Sequence, residues 1–144
     1  MKKVMVFGTF DLLHKGHKSF LKQAKKNGDY LIALVARDVN VIILKKRELH
    51  ESENTRLEKI SKLSYVDEAI LGNKRINMGP IKRINPDIIC LGYDQTYFLD
   101  KLKKFLDESD LHIKVIRLEP HKPYKYKSQI KRAKKKVSNS QRKI

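Results

Sequence analysis

The stretch GTFDLLHKGH, from Gly8 to His17, follows the apolar run VMVF and decides how the rest of the chain is interpreted. A glycine at the end of a predicted strand lets the backbone approach a ligand closely, and a helix that starts there offers unpaired N–H groups and a positive dipole end. Histidines at positions 14 and 17 fit three chemistries: metal ligands, an acid–base pair, or hydrogen-bond donors to phosphate.

Metal binding is the least favoured of the three. Zinc requires three or four ligands, and the sequence groups no further histidine, cysteine or carboxylate motif with His14 and His17. The single cysteine, Cys90, lies in an apolar run, and the remaining histidines, His50, His112 and His121, sit in unrelated places. We therefore predict no metal-binding residue at this stretch, and its place between a strand and a helix favours phosphate binding.

Five apolar runs rich in β-branched residues predict five strands, and their continuous hydrophobicity is typical of strands buried on both faces of a parallel sheet. The runs are KVMVFG (3–8), YLIALVA (30–36), EAILG (68–72), DIICLG (87–92) and IKVIRL (113–118). Segments with helical periodicity are 16–29, 51–64, 79–87, 96–110 and 127–136. This alternation predicts an α/β, Rossmann-like doubly wound parallel sheet of about five strands flanked by helices. Ligands of such sheets bind beyond the carboxyl ends of the strands.

Length and charge define the organisation of the chain. Its 144 residues predict one folded domain, over 1–133, and a basic C-terminal tail, over 134–144. The net charge is +17, and ten of the positive charges lie beyond residue 119, which leaves a moderate +7 for the rest. The tail is typical of solvated polybasic ends, with non-specific nucleic-acid binding as the alternative. Because no apolar run approaches the roughly 20 residues of a membrane span, we expect a cytoplasmic protein.

The opening stretch resembles the HxGH signature of the cytidylyltransferase-like nucleotidyltransferases, and further segments resemble the same family. VARDVNVIILKK resembles the second strand and a lysine-bearing loop, ENTRLEKI a helix with an arginine, PDIICLGYDQ the fourth strand and ligand loop, and YKSQIKRA the start of the last helix. Within the family, GYDQ is most similar to the archaeal-type FAD synthases. Glycerol-3-phosphate cytidylyltransferases, the next most similar, more often carry an acidic pair and a tryptophan there, and this chain contains no Trp.

The resemblance implies transfer of a nucleoside monophosphate from ATP or CTP to a phosphate-bearing acceptor, with release of pyrophosphate. It favours FMN adenylyltransferase, an FAD biosynthesis enzyme; the alternative is a cytidylyltransferase for glycerol 3-phosphate or a related phospho-alcohol. An alternative of another class is a nucleotide-fold RNA-binding module that uses the basic tail. The resemblance also implies Mg²⁺ carried with the triphosphate and the homodimers common among similar proteins.

The resemblance assigns roles to residues of this sequence as well. His14 and His17 are expected to bind phosphates and stabilise the transition state, while Lys45 or Lys46 neutralises phosphate charge from a mobile loop. The predicted nucleotide-binding residues, besides the two histidines, are Gly8, Thr9, Phe10, Asp11, Gly92, Tyr93, Asp94 and Ser128. Three roles stay open: Arg56 as a phosphate contact, a structural contact or a solvated arginine paired with Glu53, Asp38 as a ligand contact or a cap, and Lys15 as a pyrophosphate contact or a solvent-facing residue.

Overall fold

Five parallel strands form one sheet in the order β3-β2-β1-β4-β5. The strands are β1 (Lys3–Gly8), β2 (Tyr30–Val35), β3 (Glu68–Leu71), β4 (Ile88–Leu91) and β5 (Lys114–Arg117). The computed structural model describes residues 1–45, 48–74, 77–93, 95 and 99–120, and of residues 42–45 it describes the backbone alone. All five predicted strands and the α/β doubly wound fold are confirmed.

Five helices flank the sheet within the described residues: α1 (Lys15–Lys25), α2 (Asp38–Lys45), α3 (Glu53–Ser61), α4 (Gly79–Ile84) and α5 (Leu99–Glu108). None of the helices in that part of the chain is long and apolar enough to cross a membrane. The predicted helix over 127–136 lies outside the described residues.

The side chains of β1 pack into two separate cores, one on each face of the sheet. Val4 and Val6 belong to the cluster under α1 and α3, while Met5 belongs to the cluster under α4 and α5. All three are fully buried, because successive residues of a strand point to opposite faces. Burial on both faces explains why this sequence is continuously apolar and does not alternate.

Helix α2 corrects the expectation of a mobile loop after β2. The chain is helical from Asp38 to Lys45, so Lys45 lies in a helix and not in a loop, and residues 46 and 47 lie outside the described residues. Contacts from other segments hold its start: the Asp38 N–H donates to Glu53 Oε1 (2.9 Å), and Asn40 Nδ2 donates to the carbonyl of Asn73 (2.9 Å). These partners lie 15 and 33 residues further along the chain, where local periodicity does not indicate them.

The strand order places a switch point between β1 and β4. From β1 the chain winds outward through β2 to β3, and it then crosses back to β4 on the other side of β1. The loops after β1 and β4 therefore leave the sheet in opposite directions and open a crevice at the carboxyl edge, which is where ligands bind in sheets of this kind.

Candidate active site

His14 and His17 form a reciprocal cap at the start of α1. The Gly16 N–H donates to His14 Nδ1 (3.0 Å), and the His14 N–H donates to His17 Nδ1 (3.3 Å). The two rings stack with 3.7 Å between centroids. Because each Nδ1 accepts a hydrogen bond from the backbone, the proton of each neutral imidazole lies on Nε2. Two Nε2–H donors are thus set side by side at a helix N-terminus.

Gly16 is required by the position of the His14 ring. A Cβ atom at residue 16 would lie 2.9 Å from His14 Cε1 and 3.1 Å from His14 Nδ1, closer than ordinary van der Waals contact. No acidic residue occupies the first turn of α1, so its positive dipole end is not neutralised there. Lys15, between the histidines, is exposed, and its two predicted roles both remain predictions.

The loop between β1 and α1 contains two residues in the left-handed region of the backbone. Phe10 has φ 55° and Leu12 has φ 53°, a conformation that costs a non-glycine residue on the order of 1–3 kcal/mol. The Phe10 ring folds back over the end of β1, and a Cβ at Gly8 would lie 2.5 Å from it. The same ring meets His17 edge-on at 5.6 Å between centroids. Gly8 and Phe10 therefore shape the loop and orient His17.

Asp11 points into the protein and binds a later segment of the chain. Its Oδ2 accepts from the His50 N–H (2.9 Å) and lies 3.1 Å from His50 Nδ1, and its Oδ1 accepts from the Glu51 N–H (3.0 Å). Burial raises the pKa of the Asp11 carboxyl, but the hydrogen bonds from His50 and Glu51 outweigh it and leave the pKa below its usual value. The interpretation of His50 as unrelated to this stretch is wrong.

Glu51 returns the contact to the same loop. Its Oε1 accepts from the N–H of Leu12 (2.9 Å), the second left-handed residue, and its other oxygen pairs with Lys59. The hydrogen bond from Lys59 lowers the pKa of Glu51, so the carboxylate stays ionised. Asp11 and Glu51 together fasten the loop between β1 and α1 to the segment before α3.

Arg56 is fully buried and joins three segments. Its side chain donates to the carbonyl of Thr9 (2.7 Å), to Asp38 Oδ1 (2.6 Å) and to the carbonyl of Glu51 (3.2 Å). The prediction that Arg56 is solvated is therefore wrong, because its side chain is buried. The prediction that it pairs with Glu53 is also wrong, since Glu53 pairs with Arg37 at 3.0 Å. Its i, i+4 spacing from the buried Ile60 placed Arg56 on the inner face of α3, a signal that sequence reasoning missed. The Asp38 side chain binds this arginine, a contact included in neither of its two predicted roles.

The loop after β4 forms the other side of the crevice. The Gly92 N–H donates to Gln95 Oε1 (2.8 Å), and Gln95 Nε2 donates to the carbonyl of Phe7 at the end of β1 (2.7 Å). Tyr93, in the same loop, is 58% exposed. Sequence reasoning quoted Gln95 within GYDQ but gave it no role, and it missed Arg117, whose side chain contacts the same loop from β5.

Several predicted site residues lie outside this description. Lys46, Asp94 and Ser128 are not among the described residues, and the side chain of Lys45 is not described either. Across the residues that are described, no group of three or more histidine, cysteine or acidic side chains could hold a metal ion. The phosphate, nucleotide and metal roles assigned to individual residues remain predictions.

The sequence is similar to known proteins over most of its length. The cytidylyltransferase-like family model matches residues 5–136. The chain is 43% identical to an FAD synthase of Thermococcus kodakarensis over 127 residues, which is 88% of this chain and 83% of that protein. It is 45% identical to an FAD synthase of Methanococcoides burtonii over 119 residues, 83% of this chain and 82% of the relative.

Solved structures agree with the fold. The lipopolysaccharide core biosynthesis protein of Thermoplasma volcanium superposes with a TM-score of 0.78 at 38% identity, over 85% of this chain and 99% of that chain. The pantoate–β-alanine ligase of Francisella tularensis, at 15% identity and a TM-score of 0.52, shares the fold over 84% of this chain and 63% of its own.

Proposed function

The chain belongs to the cytidylyltransferase-like family and is a nucleotidyltransferase, and from this we propose that it transfers AMP from ATP to FMN, which makes FAD and pyrophosphate. The observation that carries the reaction class is the stacked His14–His17 pair at the start of α1, in which each Nδ1 accepts a backbone hydrogen bond and the proton of the neutral ring therefore lies on Nε2. The relatives named FAD synthase support the choice of ATP and FMN.

The proposed chemistry is a direct displacement. An oxygen of the FMN phosphate attacks the α-phosphorus of ATP, the new P–O bond forms, and the bond between the α-phosphorus and the bridging oxygen breaks as pyrophosphate leaves. A phosphate monoester has its second pKa near 6, so the nucleophile is already ionised at neutral pH and no strong base is required. Catalysis then depends on positioning and on hydrogen bonds to the charge that shifts onto the phosphoryl oxygens.

His14 and His17 are proposed to donate these hydrogen bonds from Nε2. The backbone from Gly8 to Asp11 is proposed to lie close to the triphosphate. Arg56 binds it at the Thr9 carbonyl, and Glu51 binds the N–H of the next residue, Leu12. Further proposed contacts are Lys45 or Lys46 to phosphate charge, Gly92, Tyr93 and Asp94 to the nucleotide or acceptor, and Ser128 to phosphate.

A divalent metal fits this site as part of the nucleotide. Two described carboxylates near the loop already have partners, because Asp11 binds residues 50 and 51 and Glu51 pairs with Lys59. We propose Mg²⁺ that the triphosphate carries, since Mg²⁺ keeps several waters and needs one or two protein carboxylates at most. When bound, it supplies charge neutralisation on the phosphates.

A pyrophosphate-release screen tests the proposal. ATP and CTP are each combined with FMN, glycerol 3-phosphate, phosphocholine and phosphoethanolamine, and FAD is identified by chromatography with flavin fluorescence. We expect release with ATP and FMN together and with neither alone. Turnover of CTP with a phospho-alcohol would replace the proposal by the cytidylyltransferase alternative. A cytoplasmic location, a homodimer and nucleic-acid binding by the tail stay predictions.

A further inference from the structure

Gln95 occupies the point at which the strands β1 and β4 stop pairing. Their ladder runs from Val4 opposite Ile88 to Val6 opposite Cys90 and ends there. Phe7 lies one residue beyond Val6, and Gly92 lies two residues beyond Cys90. The carbonyl of Phe7 accepts a hydrogen bond from the Gln95 side chain, and the N–H of Gly92 donates to the same amide. A side-chain amide thus takes the place of the next rung of the sheet.

An inserted amide holds the two strand ends at a fixed separation. Direct main-chain pairing brings neighbouring strands to about 4.8 Å. With the amide between them, the strands part beyond the ladder while each keeps a hydrogen-bonded partner. The crevice at the switch point therefore opens at Gln95, between the loop that leads to His14 and the loop that begins at Gly92.

Arg117 fixes the same loop from the other side. Its Nη1 lies 2.8 Å from the carbonyl oxygen of Gly92, 3.2 Å from that of Tyr93 and 3.2 Å from that of Gln95. One cation from the end of β5 thus gathers three carbonyl groups. The loop after β4 is therefore held on two sides. The Gln95 amide links it to β1, and the Arg117 guanidinium links it to β5.

We propose that Gln95, supported by Arg117, is a positioning residue that sets the width of the crevice for the nucleoside triphosphate. Building on the proposed function, this inference adds a residue to which no role is assigned above. Gln95 acts by holding the wall of the site in place, so its loss weakens nucleotide binding more than it slows the chemical step at His14 and His17.

Gln23 provides a matched control for Gln95. Its side-chain amide makes the same kind of double contact, donating to the carbonyl of Glu119 (3.0 Å) and accepting from the Glu119 N–H (3.1 Å). That contact joins the second half of α1 to the end of the described chain, away from the switch point. Gln95→Met and Gln23→Met therefore each remove one amide that bridges two backbone groups.

The test compares the two variants in full-length protein by calorimetric titration with ATP, or with CTP if the wild-type protein does not bind ATP. We expect Gln95→Met to raise the Kd and the KM for the nucleotide about tenfold, with kcat changed by less than about threefold, as loss of a positioning hydrogen-bond pair predicts. Gln23→Met is expected to lower the melting temperature similarly and to keep the wild-type Kd.

Equal Kd values for Gln95→Met and Gln23→Met would overturn the inference. If Gln95→Met does not fold, Gln95→Glu decides, because it keeps the acceptor for Gly92 and loses the donor to Phe7; a wild-type Kd in that variant also overturns it. Arg117→Lys should retain most of the affinity that Arg117→Met loses. A wild-type protein that binds ATP and makes no FAD contradicts the proposed function and leaves the Kd comparison valid.

Discussion

At the scale of single residues, His17 is both a capping residue of α1 and the proposed hydrogen-bond donor to phosphate. Its Nδ1 caps the backbone of His14, and Phe10 braces its ring edge-on. These contacts fix both the tautomer and the direction of Nε2. The histidine is therefore positioned before a ligand arrives, which is the condition under which a hydrogen-bond donor stabilises a transition state well.

His17→Ala should reduce turnover at least about 10²-fold, the usual cost of removing one transition-state donor. The fold should survive, since neither core contains the His17 side chain, and circular dichroism checks that. His112→Ala, an exposed histidine before β5, serves as the control with wild-type rates. Near-normal turnover by His17→Ala would disprove the proposed mechanism.

Asp11 carries a prediction about acid stability. Its pKa is lowered in the folded protein, so its contribution is fully present above the unfolded value of about 3.9 and is lost as the pH falls through the folded value. Asp11→Asn should lower the free energy of unfolding by about 1–3 kcal/mol at neutral pH, because one partly buried N–H loses its charged acceptor. Urea denaturation at several pH values should show this difference shrinking below about pH 4. A difference that stays constant with pH would contradict the assigned role.

At the scale of elements, the start of α3 determines how the segment 48–53 contacts the loop between β1 and α1. Ser52 caps this helix, and its hydroxyl accepts from the Thr55 N–H (3.3 Å). The cap directs the chain so that the backbone N–H groups of His50 and Glu51 face Asp11. A local helix signal and a long-range contact thus meet in three consecutive residues.

Ser52→Ala should lower the free energy of unfolding by about 1 kcal/mol, the usual cost of removing an N-cap. Ser61→Ala is the matched control, since Ser61 donates to Glu58 in the last turn and alanine suits a helix interior. Thermal or urea unfolding of both variants checks this, and equal losses from the two would show that the cap is not responsible.

The elements also show what sequence can predict. Strands such as β1 were predictable because burial on both faces leaves a continuous apolar run. The place of His14 and His17 at a strand–helix junction on the carboxyl edge was predictable from the same alternation of strand and helix, and their phosphate role stays a prediction. The helical state of α2, the burial of Arg56 and the bridge made by Gln95 were not predicted. The first and last depend on partners far along the chain, which neither periodicity nor spacing contains.

At the scale of the whole molecule, the net charge of +17 opposes compactness. Like charges repel within a folded chain, and dissolved salt screens this repulsion. Among the described residues, several lysines have acidic partners, including Lys25 with Asp67 and Lys62 with Glu58. Pairing cannot remove the excess, because the chain has 33 lysines and arginines and 16 aspartates and glutamates.

The melting temperature should therefore rise as salt is increased from about 0.01 M to about 0.3 M. Truncation after Ala133 removes five of the lysines and arginines and should reduce this rise, with turnover of ATP and FMN unchanged. Scanning calorimetry and the pyrophosphate assay measure the two effects. A truncated protein without activity would show that the last eleven residues, 134–144, belong to the working domain.

The buried Arg56 has a consequence for synthesis on the ribosome. Thr9, whose carbonyl it binds, precedes Arg56 by 47 residues, and Asp11 precedes its own partners by 39 and 40 residues. A nascent chain that has emerged only as far as His17 contains the whole signature. It lacks the later residues that hold Phe10 and Leu12 in their left-handed conformation. The loop acquires its shape once α3 has left the exit tunnel and docked, late in translation, although His14 and His17 are made early.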